Sequence, residues 1–101
     1  MQDILKDNLS RIKTLCLTHH VKSLFAFGSV CTDHFNETSD IDLLVSFHPM
    51  EYGDYADNYF LIADKFENLF HRHVDLITVN SLSNPYFIES VDKTKILIYE
   101  N

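Results

Sequence analysis

Two short apolar runs separated by a glycine set the frame into which this chain can fold. Ser23-Leu24-Phe25-Ala26-Phe27 is apolar and aromatic, as a buried strand should be, and it stops at Gly28, one of only two glycines in 101 residues. Gly28 therefore marks a close approach of backbone to a neighbour or ligand. Ser29 is expected to open a short helix running to about His34, where free N–H groups and a small hydroxyl can hold polyphosphate oxygens without a basic side chain. After a ten-residue spacer beyond Ser29 comes Asp40-Ile41-Asp42-Leu43-Leu44-Val45. In a strand the twofold pleat puts Asp40 and Asp42 on one face and Ile41 and Leu43 on the other. Two adjacent like charges call for a cation, and the stretch as a whole reads as a phosphate-and-metal site.

The rest of the chain alternates helical and strand periodicity. Leu5, Leu9, Ile12, Leu15 and Cys16 follow helical spacing, which predicts one amphipathic helix from about Gln2 to His19. Strands are expected over Val21–Phe27, Asp40–Phe47 and His73–Val79. His48 to Gly53, with Pro49, reads as a loop. Tyr55, Tyr59, Ile62, Ala63, Phe66, Leu69 and Phe70 predict a long crossover helix from Asp54, the expected N-cap, to Phe70. Asn84-Pro85 supplies an N-cap and a first-turn proline for a helix to about Asp92. Lys95 to Tyr99 fits either a last strand or an apolar tail. The order is that of a small α/β (α+β) layout, helices against one small sheet, with residues 1–101 read as a single domain.

Composition narrows the function classes. At 46% hydrophobic and 13% aromatic residues the chain is a packed domain rather than a disordered one, near the lower size at which a core is self-sufficient, so a partner would help it. A net charge of −7 argues against direct nucleic-acid binding, while metal-bound nucleoside triphosphate remains compatible. No stretch is long and apolar enough to span a bilayer and the N-terminus has no signal pattern, which points to the cytoplasm. Cys16 and Cys31 lack ligand spacing and read as free thiols. His19-His20 and His71-x-His73 have no third ligand, so helix-end and surface roles are expected instead of zinc. Tyr52, Tyr55 and Tyr59 suit packing or an interface better than base stacking.

Taken alone, Asp40-x-Asp42 would be a strand entry with two solvated acids that discourage edge pairing. Its place behind a strand-ending Gly-Ser and ahead of an apolar run decides for a metal site. This arrangement resembles the signature of the DNA polymerase beta-like nucleotidyltransferase superfamily, above all its minimal nucleotidyltransferases, over nearly the whole chain. The resemblance implies that family's fold, with a mixed sheet, and a third metal-site carboxylate at Asp75 in His73-Val74-Asp75-Leu76-Ile77-Thr78-Val79. It also implies that Asp40, Asp42 and Asp75 bind two Mg2+ ions, or Mn2+, and that Gly28 and Ser29 hold the ATP phosphates. Transfer of AMP to a hydroxyl follows, with Asp75 drawing the proton from the nucleophile. By the same resemblance the protein is the antitoxin of a HEPN-type toxin in a hetero-oligomer, and a toxin tyrosine is the acceptor. The family's arginine after Gly-Ser is replaced here by Val30-Cys31-Thr32-Asp33-His34. That departure supports an alternative, a degenerate module that neutralises its partner by contact; transfer to a small molecule is a third reading.

Overall fold

The computed structural model describes all residues, Met1–Asn101. Its centre is a four-stranded mixed sheet in the order β3-β2-β1-β4, built from β1 (Val21–Phe27), β2 (Ile41–Phe47), β3 (Val74–Thr78) and β4 (Ile96–Glu100). β1 pairs antiparallel with β2 and with β4, and β2 pairs parallel with β3. The parallel pair needs a crossover connection, which α3 (Tyr52–Phe70) supplies. β4 settles the Lys95–Tyr99 alternatives in favour of a strand, because its partners on β1 run from Ser23 to Ala26.

One face of the sheet carries the main core. Leu24, Ala26, Ile41, Leu43, Val45 and Leu76 meet Ile12 and Cys16 of α2 (Leu9–Thr18) and Ile62, Phe66 and Phe70 of α3. Fully burying side chains of this size stabilises by about 1.5–3 kcal/mol each. The alternate positions of β1 and β2 face the other way, where Phe27 and Leu44 pack with Val91 of α4 (Pro85–Thr94) and Phe27 meets Phe87 edge-on at 5.9 Å. Asn84 caps α4 as expected: its side-chain oxygen accepts from the N–H groups of Tyr86 and Phe87.

Several local expectations are corrected. The N-terminal segment is two helices, α1 (Asp3–Lys6) and α2, because Asn8 interrupts it and donates its side-chain N–H to the Ile4 carbonyl. The Gly-Ser element is a four-residue 3-10 turn, Gly28–Cys31, and does not reach His34; Thr32 closes it by donating from its N–H to the Ser29 carbonyl. α3 starts at Tyr52 with Glu51 as its cap residue, so Asp54 sits within the first turn and Gly53 inside the helix. Asp40 lies just ahead of β2 instead of within it.

Histidines serve helix ends. His19 is buried and its Nδ1 donates to the Leu15 carbonyl, while His71 ends α3 in the left-handed conformation. Both cysteines are free, and burial pushes the Cys16 thiol up to about 12, which leaves it protonated and inert.

Candidate active site

The start of β2 is where the sheet gathers chemistry. Ile41, Leu43 and Val45 are buried against the helices, which obliges Asp42 to project from the opposite face. In the parallel register Asp42 lies opposite Asp75 of β3, and in the antiparallel register it lies opposite Phe27 of β1. Asp40, exposed, precedes them by one pleat. Asp75 is also exposed. As the side chains stand, no three His, Cys, Asp or Glu groups close on one point at the distance an ion requires. What the fold brings together is the backbone register and the charge.

The charges are coupled. Burial first, then the negative charges of Asp75 and Asp40, push the Asp42 carboxyl up to about 6, with His73 pulling the other way. His73 is the only positively chargeable group acting on Asp42 in this way, and it is itself tied: its Nδ1 lies 2.9 Å from Glu67 Oε2, which also accepts the Val74 N–H. An excess of hard oxygen donors with so little positive charge nearby fits Mg2+ or Mn2+ in preference to a soft metal.

Gly28 meets this cluster from β1. It has φ +72°, and a Cβ placed there would fall 2.5 Å from Asp42 Oδ2. The glycine expected for a ligand's approach is thus required first by the Asp42 carboxylate. The Gly28 N–H donates to Thr94 Oγ1 at 2.8 Å, so this amide is engaged within the fold and not among the free N–H groups anticipated for phosphate. Ser29 follows, half-buried, its carbonyl accepting from both the N–H and the hydroxyl of Thr32.

Three contributors were invisible in the sequence pattern. Arg72 donates from Nη1 to the carbonyls of Asn36 (3.0 Å) and Ser39 (2.8 Å) and lies over the Phe35 ring, fixing the loop that delivers Asp40. Thr94 reaches Gly28 across 66 positions of sequence, and His73 faces Asp42 from the strand entry. Their types carry no spacing rule, and only the fold makes them neighbours of the acids.

Comparison with known proteins places this geometry. Residues 10–101 match the family described as "Polymerase beta, Nucleotidyltransferase", and the chain belongs to that family. Within it the chain is a minimal nucleotidyltransferase, an enzyme class that the layout and size both fit. "Putative protein adenylyltransferase MJ1379" of Methanocaldococcus jannaschii is 33% identical over 98 residues, spanning 89% of this chain and 97% of that protein. A second relative of the same name from that organism, MJ1215, is 38% identical over 82 residues, spanning 81% and 88%. A solved structure described as a putative minimal nucleotidyltransferase superposes with a TM-score of 0.74 at 29% identity, covering 94% of this chain and 95% of its own. A complex of a tri-AMPylated Shewanella oneidensis HEPN toxin with its MNT antitoxin gives a TM-score of 0.66 at 18% identity, covering 95% and 72%, a likeness of fold.

Two predictions follow from the contact and the charge. Gly28→Ala should cost at least about 1 kcal/mol less in an Asp42→Ala background than in the wild type, because the carboxylate is what the new methyl meets. Chemical denaturation of the four variants measures this coupling; additive losses would contradict the close approach. The second concerns pH. With its folded value raised to about 6, Asp42 binds more protons in the folded than in the unfolded chain above its ordinary range. Metal-free stability should therefore fall as pH rises through that window, and the fall should be smaller in Asp42→Asn, as read from melting temperatures.

Proposed function

We propose that this minimal nucleotidyltransferase moves AMP from ATP to a tyrosine of a HEPN-type toxin and thereby acts as its antitoxin. The observation that carries the reading is the Asp42–Asp75 register pair with Gly28-Ser29 against it. Asp40, Asp42 and Asp75 would hold the divalent ions, with Mg2+ in two sites or Mn2+ in its place. Ions bound there would supply charge stabilisation for the phosphates and for the attacking oxygen. Ser29, half-buried in the turn, would donate its hydroxyl to a phosphate oxygen, and the Gly28 backbone would lie beside it. The acceptor oxygen attacks the α-phosphorus, the bond to the β-phosphate's bridging oxygen breaks, and pyrophosphate leaves. Asp75, exposed at the strand entry, would take the tyrosine's proton.

The molecule carries a surface suited to a protein partner. Tyr52 is 91% and Phe60 69% exposed on α3, and Leu97 is exposed on β4. The relatives' adenylyltransferase name and the HEPN complex of like fold support the same reading. The acidic balance, −7 overall, disfavours nucleic acid as the direct substrate, and no helix is long and apolar enough to cross a membrane. The second reading, neutralisation by contact alone, draws on Val30-Cys31-Thr32-Asp33, which places no basic side chain after Gly28-Ser29.

If the acids hold the metal, Mg2+ or Mn2+ should raise the melting temperature of the wild type by linkage, and Asp40→Asn/Asp42→Asn should abolish the rise. A full metal-induced shift in the double variant would move the site elsewhere. For the activity, a HEPN-type partner encoded beside this protein should gain the mass of AMP on tyrosine when co-expressed with wild type and none with Asp42→Asn. A partner bound and silenced by both proteins without modification would establish the contact module instead, and no complex at all would return a small-molecule acceptor to first place.

A further inference from the structure

The 3-10 turn that carries Gly28 and Ser29 is too short to fix itself. Four residues close it, and its first residue sits in a left-handed conformation next to a carboxylate with which it cannot hydrogen-bond through carbon. What anchors that residue comes from the far end of the chain: Thr94 Oγ1 accepts the Gly28 N–H at 2.8 Å. Thr94 is the last residue of α4, and its place is determined on both sides. Three residues earlier Val91 is buried against Phe27 and Leu44, and two residues later Ile96 pairs with Ala26 of β1. Phe87, one turn before Val91, meets Phe27 edge-on. The hydroxyl is thus delivered to Gly28 by packing that does not depend on the turn.

We infer that Thr94 is a positioning residue for the nucleotide: its hydroxyl holds the Gly28 amide so that the turn keeps Ser29 facing the phosphates and Gly28 clear of Asp42. This rests on the nucleotidyl-transfer reading above. With the hydroxyl gone, the half-buried Gly28 N–H loses its partner, and the Phe27–Gly28 peptide that leads into the turn loses its anchor. Valine keeps the shape of threonine and removes the acceptor, whereas serine keeps the acceptor.

The test uses the full chain with a non-hydrolysable ATP analogue and Mg2+ in calorimetry, beside hydrogen exchange at the Gly28 amide by NMR without nucleotide. Thr94→Val should bind the analogue about tenfold more weakly and exchange the Gly28 proton faster, while Thr94→Ser stays within about twofold of wild type in affinity. Unchanged affinity in Thr94→Val overturns the inference, as does a loss of affinity with Gly28 exchange unaltered or a Thr94→Ser variant as weak as Thr94→Val. A wild type that fails to bind the analogue removes the transfer reading. In that case exchange alone decides: a faster Gly28 amide in Thr94→Val supports the hold, and an unaltered one overturns it.

Discussion

Asp42 is held where its charge is costly. Its neighbours Ile41, Leu43 and Val45 are buried almost completely, and the pleat leaves Asp42 no orientation except toward the opposite face, beside Asp75 and within reach of Asp40. Core burial of that strand, worth several kcal/mol, overrides a repulsion that would otherwise drive the carboxylates apart. Burial first, and then the charges of Asp75 and Asp40, raise Asp42's proton affinity, and a divalent cation would relieve that cost.

Most other features of the site serve to hold this arrangement. Glycine at position 28 leaves room for the Asp42 oxygen, α4 reaches back through Thr94 to hold the glycine, and Arg72 ties down the carbonyls ahead of Asp40. α3 supplies Glu67, which engages both His73 and the Val74 amide, and Tyr59, whose hydroxyl donates to the Leu76 carbonyl on the outer edge of β3. Two backbone groups of that outer edge, the Val74 N–H and the Leu76 carbonyl, are thereby engaged by side chains of α3.

Family membership and site geometry bear on different questions. The family fixes the reaction class, nucleotidyl transfer, for a chain that matches over residues 10–101. Val30-Cys31-Thr32-Asp33 bears on the site instead, because it places no basic side chain directly after Gly28-Ser29.

The sequence by itself determined the strands around Gly28 and Asp42, the long crossover helix and the cap at Asn84, because each is a local pattern of pleat, helical period or hydrogen-bonding side chain. It placed Asp42 in a strand whose Ile41 and Leu43 face the core, while Asp40, expected in the same strand, lies just ahead of it. It did not reveal the break at Asn8, which depends on a side chain competing for a backbone carbonyl, or the brevity of the Gly-Ser turn. The pairing of Asp42 with Asp75 is a matter of strand register, the clash that forbids a side chain at Gly28 is a matter of three-dimensional approach, and the bond from Gly28 to Thr94 joins residues 66 apart. Tertiary structure alone decided these, because strand order and helix docking are set by the summed burial of many side chains, and no local spacing encodes that sum.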